Sequence, residues 1–544
     1  MSAGTRLRIR GGAVHDPANG VDGEVRDVCI EDGRIVASLP DDAPVLDARG
    51  TIVMAGGVDI HSHIASSSCN HARRLLPEER VPEPAPSGVA GARSGTFGTV
   101  PSTFTTGYRY AGLGYTTVFD AAVAPVMARH THHEMDDTPC IDAGFFALMG
   151  NDRHLLDLID RGERDRARDY MAWLLGSVGG YAVKIVNPGG VEAWKTPQRN
   201  LTDLDTPLGS TRVTARGILE TLTDAANALR LPHPVHIHAN NLGLPGNVAT
   251  TLESMRALEG RRSHFTHVQF HAYGTGGGWK SAARELIGYV NAHPSLSVDV
   301  GQVMFGPACT ITADGPAEYL LYKSSGGKKY VNIDVELETG CGIMPMFYKN
   351  KAAVATLQWA IGLELFLLSE DPWRVVLSTD HPNGASFMAY PNLIELLMSR
   401  AVRDEALKQA NPKLLAGSAL LEGLDREYTL NEIAIITRAG PARLLGLRHK
   451  GHLGVGADAD VTIYDRNAHL AAMFMSPRWV LKRGEVVVEE GQLRRAPHGR
   501  RLWLRPGYDD AVLPGLRRHF EANGTVRMEH FAIRDLPGAP VEVG

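Results

Sequence analysis

Lys184 lies in GGYAVKIVNPGG (179–190), between Val183 and the pair Ile185 and Val186, with Gly179-Gly180 before it and Pro188-Gly189-Gly190 after. The segment reads as a short strand buried on both faces. An unpaired ammonium is destabilising there, or its pKa falls until it is neutral. Lys184 therefore needs a partner, a catalytic task or a chemical modification. Five other chemistry-bearing residues share its setting, in or at the end of short apolar runs: His61 and His63 in VDIHSH, His238 in HIHAN, His267 in FTHVQF and Asp380 in LSTDHP. His61 and His63 are two apart, so on a strand they face the same side and can hold one ion together.

A buried, neutral lysine amine can add CO2 and become a carbamate, an anion with two oxygens able to bridge two cations. Carboxylated Lys184, four imidazoles and the Asp380 carboxylate would suit a pair of divalent metal ions, with zinc the best fit to the nitrogen-rich set.

These residues need strands that end on one face. Eight runs supply them: 52–63, 115–122, 142–149, 181–187, 234–240, 265–272, 296–302 and 374–381. Helical stretches lie between most of them, at 152–175, 214–229, 252–259, 282–292 and 351–369. Eight β–α units predict a TIM-type (β/α)8 barrel, whose active sites sit at the C-terminal ends of the strands. The residues before Thr51 alternate β runs with turn pairs such as Asn19-Gly20 and Asp32-Gly33, and short β runs return beyond Ile435. The expected division is 1–51 and 435–516 as two parts of a small β-sandwich domain, 52–434 as the barrel, and 517–544 as a tail. Two long loops, 66–102 and 308–330, interrupt the barrel pattern.

The 544 residues are 44% hydrophobic and 22% charged with a formal net charge of −5, values of an ordinary globular protein without the basic excess that nucleic acid or an anionic membrane would attract. The five cysteines are scattered, with no CxxC pair, which argues against a disulfide framework. No apolar run reaches the roughly 20 residues of a spanning helix. A cytoplasmic location and a small-molecule substrate are expected.

The metal set, with DPANG, EDGRIV (31–36) and GVGADADVTIYD (454–465), resembles the amidohydrolase superfamily in its dihydroorotase-like branch with a carboxylated lysine. Longer segments narrow the resemblance. KIVNPGGVEAW (184–194), HIHANNLGLPGN (236–247), HFTHVQFHAYGT (264–275), ARHTHHEMDDTP (128–139) and STDHPNG (378–384) are similar to the A subunits of formylmethanofuran dehydrogenase and of the bacterial formyltransferase/hydrolase complex. The resemblance implies zinc-dependent hydrolysis of the N-formyl amide of formylmethanofuran, or of a methanofuran-like carrier, to formate and free amine, with Asp380 as the catalytic group that takes a proton from water and passes it to the departing amine. It also implies other subunits as partners and a place in one-carbon metabolism, in formaldehyde oxidation. After HSH the chain reads IASSSCNHARRLLPEER (64–80), a departure from the archaeal pattern that favours the bacterial hydrolytic branch.

By position and resemblance, Asn187, Asn240 and Asn241 are expected to orient the substrate. Arg73 and Arg74 could grip carboxylates of a carrier, since arginine pairs bidentately with them; a solvated loop is the competing reading. His71, His130, His132, His133, His271 and His381 read mostly as groups that support the ligands from behind or as packing groups, and the glycines at 276–278 as flexible loop. Two other functions remain open: a cyclic-amide hydrolase of dihydroorotase or hydantoinase type, and a catalytically silent amidohydrolase-like scaffold. The scaffold would be expected to lose ligands, and all six positions are filled.

Overall fold

The structure is a computed structural model that describes residues 6–541 apart from 84–87, 90, 199–200, 202, 277–278, 334–335, 413–418, 524–525, 537 and 539. Two glycines of the expected 276–278 loop thus lie outside the described residues.

Eight parallel strands form the central sheet: β1 (Gly57–Ser62), β2 (Tyr115–Val123), β3 (Asp142–Leu148), β4 (Ala182–Val186), β5 (His236–His238), β6 (Ser263–Phe265), β7 (Leu296–Asp299) and β8 (Val375–Val376), paired in chain order. The His63 N–H donates to the His381 carbonyl at 2.7 Å, and Ser62 bridges His381, which brings β1 back to the chain leaving β8. This is the expected TIM-type barrel. Its strands are buried on both faces, as parallel strands covered by helices must be. Helices such as Ala215–Ala228 and Ala353–Leu367 supply that cover with Ile218, Leu219, Leu222 and Trp359.

Both chain ends build the smaller domain. Its strands, expected as a β-sandwich, join in one branched nine-stranded sheet around a core that includes Ile9, Val28, Val53 and Val461. The strand Arg6–Asp16 makes the branch: a bulge between Ile9 and Gly12 lets its first half pair with Val45–Asp47 and its second half with Thr51–Ala55.

Three boundaries differ from those expected. The run 52–63 is two strands, because Thr51–Ala55 pairs with Val461–Asp465 of the small sheet and the barrel begins at Gly57. Residues 435–444 are helical and pack beside β8, where the Leu377 N–H donates to the Ile436 carbonyl at 3.0 Å. The 517–544 tail begins inside the helix Leu513–Asn523, which sets Phe520 against Trp173.

Both long loops carry regular secondary structure among their described residues. Residues 306–348 form the sheet Gly306–Thr312, Val331–Ile333 and Cys341–Tyr348 with the helix Gly315–Ser325. The helix Ser67–Leu75 of the first loop packs Cys69 and Ala72 against Cys309, Ile311 and Ile343 of that sheet. Among the described residues, no helix is long and apolar enough to cross a membrane.

Candidate active site

At the C-terminal ends of the strands lies a cavity of about 730 Å³, with His61, His63, Lys184, His238, His267 and Asp380 in its lining. The structure brings all six expected residues together. His61 lies near the end of β1 and His63 directly follows it, and both direct Nε2 at Asp380 Oδ1, at 2.9 and 3.2 Å. Lys184 occupies the middle of β4, where burial, against the pull of Asp380, Asp299 and Asp120, lowers its pKa to about 8.

His267 is not on the sixth strand. β6 ends at Phe265, and the run 268–271, expected to extend it, is a tight 3-10 turn. His267 itself has φ 37°, and Asn187, Asn241 and Asp380 have φ of 43°, 63° and 48°. Such left-handed conformations in non-glycine residues are held at an energetic cost and cluster at functional sites. Gly301, also at positive φ, lets β7 approach: a Cβ there would lie 2.3 Å from the Cβ of His267.

Burial opposes charge on Asp380, but the neighbouring His61, His267 and His63 outweigh it and hold the carboxyl well below its ordinary range. Burial also lowers the pKa of His238 and His267 and keeps both imidazoles neutral, as ligation requires. Ligand atoms of His61, His267 and Asp380 lie within 4.8 Å of one another. Lys184 Nζ and His267 Nδ1 are buried without a hydrogen-bond partner among the described residues. Buried polar atoms seldom stay unpaired. These atoms, with a carboxylate and three further imidazoles, are a donor set that divalent metal fits.

The remaining expected residues divide. Asn187 lines the cavity and donates from Nδ2 to Asp314 Oδ1 at 3.0 Å. Asn241 also lines it, whereas Asn240 lies behind and holds Asn187, donating to its Oδ1 at 2.8 Å and to the Pro188 carbonyl at 3.0 Å. Arg73 and Arg74 are not brought to the cavity. Arg73 donates to the Pro101 carbonyl at 2.8 Å and to Asn70 Oδ1 at 2.6 Å, and Arg74 is exposed on the first-loop helix.

Sequence reasoning missed Asp314 and Asp299. Asp314, from the inserted segment, lies 3.2 Å from His238 Nε2, and Asp299 closes β7 at 3.3 Å from His61 Nδ1. The available signal was the aspartate in LSVDVG, at a strand end like the others. His271, read as a group supporting the ligands or packing, is buried with both ring nitrogens unpartnered among the described residues and its ring centroid 5.4 Å from that of His238.

The amidohydrolase family pattern matches residues 44–488. The chain belongs to the amidohydrolase family. Within it, the chain groups with two relatives matched almost end to end. It is 43% identical to protein FwdA of Methanocaldococcus jannaschii, over 97% of this chain and 96% of that one. It is 41% identical to the A subunit of the formyltransferase/hydrolase complex Fhc of Methylorubrum extorquens, with the same coverage. The crystal structure of the Methylorubrum extorquens complex FhcABCD with methylofuran superimposes with a TM-score of 0.93 at 39% identity, over 98% of this chain and 99% of that one. An N-acyl-D-glutamate deacylase of Bordetella bronchiseptica, 16% identical with a TM-score of 0.52 over 91% of this chain and 98% of that one, shares the fold. This amidohydrolase is an enzyme that hydrolyses a carbon–nitrogen bond other than a peptide bond.

Proposed function

We propose that this amidohydrolase hydrolyses the N-formyl amide of a methanofuran-like carrier, as the hydrolytic component of a formyltransferase/hydrolase complex. The observation that carries the reading is the cavity floor. His61, His63, Lys184, His238, His267 and Asp380 converge there, in a chain that follows its Fhc relative over nearly the full length of both. A relative seen with methylofuran supports a furan-amine carrier as substrate, and its FhcABCD assembly supports partner subunits.

The six residues would hold two zinc ions. Bound there, the pair supplies Lewis acidity toward the formyl oxygen and lowers the pKa of water to roughly 7. Lys184, its pKa lowered to about 8, would add CO2 at Nζ, with a nitrogen–carbon bond formed and one proton released, and as an anionic carbamate would join the residues that hold the ions. Asp380, held as a carboxylate, accepts a proton from the attacking water and returns it to the departing amine nitrogen. Asn187 and Asn241, on the cavity wall, orient the formamide. Formate and the free amine are the products.

The test is formate release from an N-formylated furan-amine carrier by the purified complex, with bound metal measured for the wild type and Lys184→Ala. Activity with about two zinc ions per chain, both lost in the variant, is expected. Metal without formate release, given intact partner subunits, would overturn the reading in favour of a cyclic amide; a chain without metal would overturn it in favour of a scaffold.

A further inference from the structure

Barrel interiors are ordinarily filled with branched aliphatic side chains. Beneath this cavity the filling is polar: His61, His236, His264, Thr266 and Asp299 are all fully buried. Asp299 is their common acceptor. Its Oδ2 accepts from the Thr266 hydroxyl at 2.6 Å and from His264 Nε2 at 3.2 Å, and it faces His61 Nδ1 at 3.3 Å. Its Oδ1 accepts from the Ser378 hydroxyl at 2.5 Å and the His267 backbone N–H at 3.1 Å. His61, His236 and Asp299 are close enough to share an ion, but both oxygens of Asp299 are already turned toward donors.

A second chain of hydrogen bonds ends on the same atom of His61. The Leu444 carbonyl can only accept, so His233 Nδ1, 2.9 Å away, donates to it. A neutral imidazole carries one N–H and one acceptor nitrogen. His233 Nε2 therefore accepts from His236 Nδ1 at 3.0 Å, which leaves His236 Nε2 to accept from His61 Nδ1 at 3.0 Å. Both routes require the proton of His61 on Nδ1.

We propose that Asp299 and the His236–His233 chain are the positioning groups of the metal centre, holding His61 as its Nδ1–H tautomer so that bare Nε2 faces the cavity. The inference rests on reading the cavity floor as a metal centre and is independent of the carrier. A carboxylate or other acceptor behind a histidine ligand fixes its ring and raises its basicity, and losing it lowers metal affinity about 10–100-fold.

The experiment measures zinc affinity by chelator competition on the full-length chain, with the unfolding midpoint of the metal-free protein recorded alongside. Asp299→Asn puts an amide N–H among donors and is expected to weaken zinc binding about 10–100-fold. His236→Leu removes one acceptor and leaves Asp299 in place, so a loss of roughly 3–10-fold is expected. A merely structural role would lower the metal-free midpoint and leave zinc affinity unchanged. Wild-type affinity in both variants overturns the inference alone, and should Asp299→Asn not fold, His236→Leu decides it. A wild-type chain that binds no zinc overturns this inference and the metal-centre reading together.

Discussion

Two buried clusters of ionisable residues occupy opposite ends of the barrel, and each contains lysine. At the N-terminal end, Lys450 Nζ meets Asp142, Asp458 and Asp460 at 2.6, 3.1 and 2.9 Å, Lys482 Nζ meets Asp142 and Asp460 at 3.0 and 2.9 Å, and Arg500 completes the group. Burial alone would lower the pKa of Lys450, but the three carboxylates outweigh it and hold it above its ordinary value. At the C-terminal end, Lys184 Nζ has no hydrogen-bond partner among the described residues and its pKa falls to about 8. Either set of carboxylates or imidazoles could hold a cation by proximity. Pairing tells them apart: three carboxylates facing four cations, Arg34 on Asp458 at 2.7 Å being the fourth, are complete as a joint between barrel and small sheet, whereas the Lys184 cluster is complete only with something added.

The largest effect expected from this contrast is on Lys184. Replacing it with alanine removes no ion pair from the protein, so the unfolding midpoint of the metal-free chain should hold or rise, while kcat/KM falls roughly 10³-fold or more with the loss of metal. An apo midpoint several degrees below wild type would show that Lys184 is a structural group after all. The reciprocal change, Lys450→Met, strands buried carboxylates. It should destabilise the fold by about 3–5 kcal/mol in denaturant titration while the surviving folded protein binds zinc as the proposal has the wild type do. Loss of zinc in that variant would break the separation between the two ends.

The cavity end of this contrast was legible in the sequence because strands and strand ends follow local rules, whereas the Lys450 cluster, built from residues far apart in the chain, was not. Apolar runs of four to eight residues between helical stretches predicted the barrel, and the histidines, lysine and aspartate ending those runs predicted the floor of the cavity. What escaped depends on long-range pairing. Asp314 meets His238 across 76 residues, from a segment whose sheet and helix read as loop because Gly326 and the lysines around it interrupt any period. Asp299 and His236 looked like ordinary strand residues, since nothing local reveals that a barrel interior is polar. Arg73 looked available for a carrier, but its guanidinium is turned to Pro101 and Asn70. The run 52–63 appeared continuous because Ala55-Gly56-Gly57 carries the chain from one sheet to the other with no polar break.

Glu318 sharpens the comparison as an intermediate case. It lines the cavity wall, is 2% exposed and has the Thr310 hydroxyl as donor. Burial pushes its pKa up to about 8. The folded protein thus keeps a proton that the unfolded chain, with an ordinary carboxyl near 4.5, releases. Between pH 4.5 and 8 the folded state binds more protons, so this group's contribution to stability falls as pH rises through that window. Glu318→Gln should abolish that slope and stabilise the protein by roughly 1–3 kcal/mol at pH 8, read from denaturant midpoints at pH 5 and 8. A slope unchanged by the substitution would mean that Glu318 is ionised when folded and has a partner in solution.

The smallest expected effect lies at the mouth of the same cavity, where no charge is involved. Phe347 lines it and is 60% exposed, with Leu244 and Leu320 nearby on the lining at 41% and 38%. A side chain this exposed contributes little to folding, so Phe347→Ala should shift stability by no more than about 0.5 kcal/mol. If the mouth receives the apolar part of a carrier, the ring gains burial only when the carrier is bound. Losing about 1 kcal/mol of that burial would raise KM roughly 5-fold. Such binding is shared by ground and transition states, so kcat should stay unchanged. A kcat that falls together with kcat/KM would place Phe347 in the alignment of the formyl group, and the line between a polar floor that reacts and an apolar mouth that binds would have to be redrawn.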